Sequence, residues 1–409
     1  MYKLYCRAFQ KAFKTAGYVL HWRKPQLLEG ENSLNRLPEF IKQKGIERLL
    51  IVTDKGISSL GLMDSLEEGL RKECMDYVVY DRTVPNPTIE NIEEALELYK
   101  LHNCQGIIAF GGGSPMDCAK GVAARIARPE KSIPEMRGTL KVRREIPPLF
   151  AVPTTAGTGS EATVAAVITN SETHEKYAVS DTVLIPHGAV LDPLLTVNLP
   201  KHITSTTGMD ALTHAVEAYI GRSNTSETRE CSREAVKLIF ANLYEAYTNG
   251  GNMEARRNMQ KASYLAGRAF TRAYVGNVHA IAHTLGGFYS VPHGLANAVI
   301  LPYVLEYYGE TVVQPLAELS VLAGTADPSD TEGVKAKKFI LAIRQLNEDM
   351  EIPGKISGIN EGDIPVMVKR ALDEANPLYP VPVIFSEKDM YTLFEKIMEK
   401  EVAGKPVYH

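Results

Sequence analysis

Residues 106–120, GIIAFGGGSPMDCAK, combine three signals that decide the fold. The run GIIAF is short and apolar, as is typical of a buried strand. A glycine cluster follows it, and Pro115 then stands where a helix would begin, because proline is favoured at the first helical position. A strand that turns through glycines into a helix is the repeating unit of α/β proteins. The segment therefore predicts one strand–loop–helix unit of a parallel sheet.

The rest of the chain divides into an alternating half and a helical half. Strands are predicted at 47–54, 77–83 and 148–153, helices at 62–73 and 91–103, and a pair of strands at 164–170 and 176–180. Beyond Pro200 strand signals largely vanish and helical periodicity takes over. We predict a basic N-terminal arm (1–27), an α/β Rossmann-like dinucleotide-binding domain (28–198) and an all-helical metal-binding domain (199–409).

Composition excludes several classes of function. The net charge of −4 gives no basic surface for nucleic acid. No run of about eighteen apolar residues is present, so a membrane-spanning helix is not expected. The five cysteines are odd in number and contain no C-x-x-C spacing, which favours a reducing, cytoplasmic location over a disulfide framework. A small-molecule substrate remains the natural partner.

The N-terminal arm carries only basic charges before the first acid, Glu29. Such a start can be a mitochondrial targeting segment. However, the arm lacks serine and has no small-residue cleavage site after an apolar core. These features favour an ordered arm whose side chains Leu4, Phe9 and Phe13 pack on the body of the protein.

Two small-residue loops follow predicted strands. In 111–114, GGGS, glycines would expose backbone N–H groups at a helix N-terminus, where phosphate is favoured, although a plain tight turn is the alternative. In 153–163, PTTAGTGSEAT, hydroxyl groups are available to phosphate or ribose oxygens. Two such loops at the strand ends of one sheet predict a nucleotide lying across them.

Asp54 ends the first predicted strand. An acid at this place accepts hydrogen bonds from a ribose 2′-hydroxyl and repels a 2′-phosphate, which favours NAD over NADP. The alternative is that Asp54 caps a turn or a helix.

Histidines are concentrated in the helical half. In GMDALTHAVEAY (208–219), Asp210 and His214 are spaced i, i+4 and would share one face of a helix, and His279 and His283 in HAIAH repeat the spacing. No glutamate stands between the last two, which disfavours a zinc protease. Capping contacts or buried core histidines are the alternatives for each pair.

A further histidine, His293, stands in VPHG. We predict that the glycine pair 286–287 ends one helix and that VPHG opens another, which would turn His293 back toward His279. One aspartate with three histidines is a nitrogen and oxygen ligand set suited to Fe²⁺ or Zn²⁺.

The motifs GGGSPMDCAK, PTTAGTGSEAT, DALTHAVEAY and HAIAHTLGGFYSVPHG together resemble the iron-containing (group III) alcohol dehydrogenases of the dehydroquinate synthase-like superfamily, over residues 28 to 400. The resemblance implies an α/β nucleotide domain, a helical domain, an active site in the cleft between them, and a homodimer. It implies metal ligands at Asp210, His214, His279 and His293, with iron as the metal and zinc or manganese as alternatives. It implies cofactor contacts at Asp54, Asn86, Gly112, Gly113, Ser114, Asp117, Thr154, Thr155, Thr158, Thr163 and Lys176. Many members have Asn-Pro-Arg near the C-terminus, whereas ANPLYPVP places Leu378 at the third position.

The resulting hypothesis is reversible, NAD-linked hydride transfer to and from a small primary alcohol or diol, with the metal as Lewis acid on the substrate oxygen. His283 is implied to lie near the nicotinamide and is the predicted catalytic proton relay, with a purely structural role as its alternative. A glycerol dehydrogenase or sugar-phosphate cyclase would keep fewer ligands. A metal-dependent hydrolase or a nucleotide-binding scaffold would not need both the loops and the ligand set.

Overall fold

The computed structural model describes residues 1–172 and 175–399, so residues 400–409 of the predicted helical domain lie outside the described residues. The strands are β1 (Gln26–Glu29), β2 (Arg48–Val52), β3 (Asp76–Tyr80), β4 (Gly106–Gly111), β5 (Gly138–Thr139), β6 (Leu149–Pro153), β7 (Ala165–Asn170), β8 (Glu175–Ser180) and β9 (Gly188–Leu191). The helices are α1 (Tyr2–Ala16), α2 (Leu37–Lys42), α3 (Lys55–Ser58), α4 (Asp64–Lys72), α5 (Ile89–Leu101), α6 (Gly113–Ala127), α7 (Lys201–Ile220), α8 (Ser226–Thr248), α9 (Met253–Ala273), α10 (Asn277–Tyr289), α11 (His293–Tyr308), α12 (Val313–Leu322), α13 (Glu332–Asp349), α14 (Ile364–Ala375) and α15 (Glu387–Ile397).

The main sheet has six parallel strands in the order β1-β9-β6-β4-β2-β3. Strands β4 and β6 are buried along their whole length, as expected for strands covered by helices on both faces. One apolar core fills the side of α5 and α6, and a second fills the side of α2 and α4. The predicted α/β sheet is confirmed.

A second sheet of three strands, β5-β8-β7, stands beside the first. Strands β7 and β8 pair antiparallel, with Ala165 opposite Ser180 and Ile168 opposite Tyr177. Ala166 and Ile168 point into the core around α6, which attaches this sheet to the nucleotide half. The predicted pairing of these two segments is confirmed.

Two local predictions about helix ends are wrong. Helix α6 begins at Gly113, two residues before Pro115. Proline is tolerated there because the N–H groups of a first helical turn have no intrahelical acceptor. Helix α10 continues through the glycine pair 286–287 and ends at Tyr289, where Ser290 adopts φ 54°. Two glycines lower helix propensity by only about 1 kcal/mol each, and packing outweighs that cost.

The helical half comprises α7 to α15, whose apolar side chains form one large core. It packs closely on the second glycine loop. Gly159 has φ +60°, and a Cβ there would lie 2.6 Å from the Cα of Gly267 on α9, so both positions need glycine. No described helix has both the length and the apolar character to cross a membrane.

The N-terminal arm is ordered and begins with α1. Its buried positions are Cys6 and Gln10, and the ring of Phe13 lies 5.8 Å from that of Tyr274. Leu4 is 75% exposed, so its predicted packing is wrong. Cys6, Gln10 and Phe13 follow helical spacing along one face, whereas Leu4 is two residues before Cys6 and therefore on the opposite face.

Candidate active site

The two glycine loops lie side by side at the carboxyl edge of the main sheet. The register of β4 and β6 sets Gly111 opposite Pro153, and the amide of Thr154 donates to the carbonyl of Gly111 at 3.0 Å. Gly113 opens α6, and a Cβ on it would lie 3.0 Å from the side chain of Thr158. The first turn of α6, whose N–H groups have no intrahelical acceptor, thus lies beside the second loop, as expected of an anion site.

Three of the predicted cofactor residues come together from separate segments. Lys176 Nζ donates to Asn86 Oδ1 at 2.7 Å, and the amide of Asn86 donates to Ser114 Oγ at 3.3 Å. Asn86 has φ 58°, a left-handed conformation that asparagine tolerates better than most residues. The group joins β8, the loop after β3, and the start of α6.

A buried lysine holds the inner wall of the second loop. Lys120 Nζ donates to Ser160 Oγ at 3.0 Å and to Thr163 Oγ1 at 2.8 Å. Asp117 accepts from Ser160 Oγ and from the amide of Val167. Burial raises the pKa of Asp117 to about 6 and lowers the pKa of Lys120 to about 8. Because its hydroxyl accepts from Lys120, Thr163 contributes to the framework of the loop as well as to its surface.

A cavity lies between the two halves of the chain, and four of the predicted cofactor residues do not line it: Asp54, Gly112, Thr154 and Thr155. Asp54 is the N-cap of α3, and its Oδ1 accepts from the amide of Ile57 at 2.9 Å. The capping alternative for Asp54 is thus realised. The contact of Asp54 with a ribose stays a prediction.

A cavity of about 320 Å³ lies between the two halves of the chain. The nucleotide half contributes Asn86, Gly113, Ser114, Asp117, Thr158, Thr163 and Lys176. The helical half contributes Asp210, His214, His279, His283 and His293. The predicted metal ligands and seven of the predicted cofactor residues thus face one space.

Three helices carry the predicted metal ligands. Helix α7 supplies Asp210 and His214, α10 supplies His279, and α11 begins with His293. One ligand atom from each of these four residues, hereafter the tetrad, lies within 4.8 Å of the others. His279 is central, since its ring lies 4.5 Å from that of His214 and 5.3 Å from that of His293.

Asn297 touches three members of the tetrad and was not anticipated. Its Nδ2 donates to Asp210 Oδ1 at 2.7 Å and lies 3.2 Å from His279 Nε2 and 3.1 Å from His293 Nε2. The amide is fully buried. It marks the point on which the ligand atoms converge.

The ring of His279 is oriented by a buried carboxylate. Glu217 accepts from the amides of Gly276 at 2.9 Å and Val278 at 2.8 Å, at the N-terminus of α10. Its Oε2 also lies 2.6 Å from His279 Nδ1. Since this carboxylate acts as an acceptor toward both amides, we assign the Nδ1 proton to His279, and the Nε2 lone pair then faces the tetrad. This is the usual outer-shell arrangement of a metal-bound histidine.

The charges and donors of the tetrad fit a divalent cation. Burial lowers the pKa of His279 well below its usual value and that of His293 to about 3, so both imidazoles are neutral, as metal ligands must be. Asp210 is 2% exposed, and within the described residues Nδ1 of buried His214 has no hydrogen-bond partner. A bound cation would neutralise the carboxylate of Asp210 and give the unpaired Nδ1 of His214 a partner.

Replacing Glu217 with glutamine is expected to weaken metal binding by about 10- to 100-fold, because the outer-shell carboxylate no longer fixes the His279 tautomer. Metal titration followed by competition with a chelator measures the change. Glu230→Gln is the matched control, since Glu230 lies on α8 with its side chain 79% exposed. Equal affinities for the two variants would contradict the role of Glu217.

His283 lies beside the tetrad without joining it. Its ring stacks on that of His293 at 5.0 Å, and its Nδ1 lies 2.6 Å from Glu374 Oε1. The same carboxylate oxygen accepts from the Tyr379 hydroxyl at 2.8 Å. The arrangement orients the other ring nitrogen of His283 and provides an acceptor for a proton on Nδ1.

Four residues of the site were not predicted from the sequence. Glu217 and Asn297 could have been found, since they follow His214 and His293 by three and four residues on the same helices. Phe270, whose ring stacks on His214 at 4.1 Å, and Glu374 come from distant segments and become visible only in the fold.

Together the paired loops and the tetrad form the arrangement expected of a nucleotide-dependent metalloenzyme. The sequence profile of the iron-containing alcohol dehydrogenases matches residues 25–193, and the C-terminal profile of the same family matches residues 204–398. The chain belongs to the iron-containing alcohol dehydrogenase family and is an oxidoreductase. The resemblance found in the sequence is thereby confirmed.

Individual relatives cover nearly the whole chain. The 1,3-propanediol dehydrogenase of Citrobacter freundii is 38% identical over 375 residues, which are 90% of this chain and 95% of the relative. The NAD-dependent methanol dehydrogenase of Bacillus methanolicus is 34% identical over 86% of this chain and 92% of its own. The crystal structure of a 1,3-propanediol oxidoreductase superposes with a TM-score of 0.89 at 35% identity, covering 93% of this chain and all of the other. These relatives speak against the hydrolase and scaffold alternatives.

Proposed function

We propose that the chain catalyses reversible hydride transfer between a small primary alcohol or diol and NAD, next to one divalent metal held by the tetrad. The observation that carries the proposal is that the tetrad and the phosphate-suited start of α6 line the same cavity. An enzyme that transfers hydride needs the cofactor and the activated oxygen in one enclosed space.

When bound, a divalent metal would polarise the alcohol or aldehyde oxygen, and the nicotinamide would accept or deliver hydride. The tetrad contains one carboxylate among neutral imidazoles, so its own charge does not cancel that of a divalent cation. Iron is the metal proposed, with zinc and manganese as alternatives that the same donors accept. His283, oriented by Glu374, is the proposed proton relay for the substrate oxygen.

The cofactor would lie across the two glycine loops. The first turn of α6 offers backbone donors to a pyrophosphate, and Lys176 adds a cation held by Asn86. NAD rather than NADP is proposed because Asp54 provides a negative charge after β2, and the methanol dehydrogenase relative is named as NAD-dependent.

Asp54→Asn is expected to raise the kcat/KM ratio of NADPH to NADH by about tenfold, or ~1.4 kcal/mol, because a repulsive charge near the 2′-phosphate is removed. Asparagine still caps α3, so folding is preserved. Asp64→Asn, in the exposed first turn of α4, is the control. An unchanged ratio in Asp54→Asn would overturn the cofactor assignment for this residue.

The proposed substrate class follows from the size and lining of the cavity. Phe270, Tyr274 and Leu378 give apolar surface beside the polar tetrad, which suits a short carbon chain with one hydroxyl at its end. The names of the relatives, methanol and 1,3-propanediol dehydrogenases, fall in the same class.

We also propose a cytoplasmic location and a homodimer. Four of the five cysteines are buried as free thiols, which suits a reducing cytoplasm. A homodimer is proposed from the family resemblance, and β1, an edge strand of the main sheet, offers backbone groups for a contact between copies. Sedimentation at twice the mass of the chain would support the dimer, and sedimentation at the mass of one chain would contradict it.

The test of the proposed function is an anaerobic assay of reduced-nicotinamide consumption with short aldehydes. Protein loaded with Fe²⁺ or Zn²⁺ is compared with a chelator-treated sample, and NADH with NADPH. We expect metal-dependent oxidation of NADH. If metal and cofactor both bind and no aldehyde is reduced, the proposed reaction is wrong.

A further inference from the structure

The N-terminal arm reaches the catalytic cavity. Phe13, Leu20 and Trp22 line the same space as the tetrad and the start of α6. The family profile begins at residue 25, so these three side chains belong to a segment outside the match. The arm therefore adds to the cavity a wall that the family profile does not include.

Hydrogen bonds hold the N-terminal part of the arm on the helical half. Arg7 donates to the carbonyls of Val381 at 2.6 Å and Pro382 at 2.8 Å. Gln10 Nε2 donates to the carbonyl of Tyr379 at 2.7 Å. Tyr379 is also the residue whose hydroxyl contacts Glu374, so the arm is connected to the segment that positions His283.

The C-terminal part of the arm is bound to both halves of the chain. Arg23 donates to the carbonyls of Ile185 at 2.8 Å and Val183 at 3.2 Å in the nucleotide half. Lys24 pairs with Glu227 on α8 at 2.7 Å. Because both ends are held, residues 13–22 span the gap between the halves at the cavity.

The arm presents apolar surface at the substrate end of the cavity. The Phe13 ring lies 5.8 Å from that of Tyr274, which directly follows α9, the helix whose Phe270 stacks on His214 of the tetrad. Tyr274 adopts φ 67° and ψ 173°, a conformation that costs a side-chain-bearing residue and that is retained at functional sites. Phe13, Tyr274 and Phe270 thus line the same cavity as the tetrad.

Trp22 presents only its apolar surface. Its indole N–H donates to the carbonyl of Gly17 at 2.7 Å, within the arm itself. The guanidinium of Arg272 lies 5.7 Å from the ring and supports it. With its donor occupied, the indole offers no hydrogen bond to a ligand in the cavity.

We propose that the arm is a specificity-determining wall, in which Phe13, Leu20 and Trp22 limit the substrate to short, apolar primary alcohols and the matching aldehydes. The proposal rests on the proposed function for the reaction itself. The wall acts on the substrate end, so it changes the preference for carbon-chain length without changing the affinity for NADH.

Leu20→Ala tests the wall, with Val19→Ala as the matched control, because the neighbouring Val19 is 85% exposed. Metal-loaded proteins are assayed with aldehydes from propanal to octanal. Leu20→Ala is expected to raise the kcat/KM ratio of octanal to propanal by about tenfold or more, and Val19→Ala to leave it unchanged. Equal ratios for the two variants, or a change in KM for NADH alone, would overturn the proposal.

Trp22 gives a second readout that does not depend on turnover, because it is the chain's single tryptophan. Trifluoroethanol, an alcohol that resists oxidation, is titrated into the metal-loaded protein while tryptophan emission is recorded. A saturable change supports a place for Trp22 in the substrate wall, even if no aldehyde is reduced and the proposed function fails. Normal turnover with no change in emission would overturn the place of Trp22 in the wall and leave the proposed function standing.

Discussion

His279→Ala is expected to lower kcat/KM for aldehyde reduction by about 10³-fold, which corresponds to ~4 kcal/mol of lost transition-state stabilisation. His279 lies between His214 and His293, and its Nδ1 is held by Glu217. The variant would remove the proposed central ligand and leave the carboxylate of Glu217 without its ring partner. We therefore expect both loss of the metal and loss of activity.

Metal content and thermal unfolding give the direct measurements for this variant. A ligand that binds only the native state raises its stability, so metal should raise Tm in the wild type and fail to do so in His279→Ala at the same concentration. His202→Ala is the control, since His202 is exposed at the start of α7, the helix that carries Asp210. Retention of metal and activity in His279→Ala would exclude His279 as a ligand.

His283→Ala is expected to lower kcat by about 10²- to 10⁴-fold while metal content stays at the wild-type level. The ring of His283 stacks on that of His293, but His283 is outside the tetrad. Its Nδ1 lies 2.6 Å from Glu374 Oε1. The variant would remove the group proposed to transfer the proton of the substrate oxygen. The four proposed metal ligands would remain in place.

Glu374, the hydrogen-bond partner of His283, provides a second test of the proton relay. Glu374→Gln should lower kcat less than His283→Ala, and combining the two should cost little more than His283→Ala alone, because the two residues act as one unit. Glu361→Gln, an exposed carboxylate at the loop before α14, is the control. Wild-type turnover in His283→Ala would leave His283 with a structural role, and loss of metal from that variant would make it a ligand.

The alternation of strands and helices was predictable because buried parallel strands carry a simple signal. β4 is apolar along its length and is followed at once by glycines. By contrast, β1 was missed, since its four residues have no alternating pattern and it forms through pairing with β9, far away in sequence. The end of α10 was misplaced because helix propensity at 286–287 gave way to packing.

The candidate metal site was largely predictable from the sequence because helical spacing places Asp210 above His214 and His279 above His283. Spacing alone could not separate His283 from the proposed ligands. The resemblance implied that separation, and the structure now gives its geometry, with His283 turned to Glu374. Glu374 itself lies 91 residues away and gave no local signal.

The arm shows the limit of sequence reasoning most clearly. Its basic charges drew attention, whereas its function in the fold depends on hydrogen bonds from Arg7 and Gln10 to backbone carbonyls near Val381. Backbone carbonyls carry no sequence identity, so such contacts leave no pattern in the chain. The course of the arm over the cavity was therefore not predictable.

An anaerobic titration of metal-free protein with Fe²⁺, in which NADH oxidation by a short aldehyde is followed at each addition, tests whether activity depends on one metal ion in the tetrad. Activity should be absent at the start, rise linearly and stop rising at one Fe²⁺ per chain, because the four ligand atoms of the tetrad lie close enough to share one ion. Full activity before any metal is added, or a rate that does not depend on Fe²⁺, would contradict this expectation.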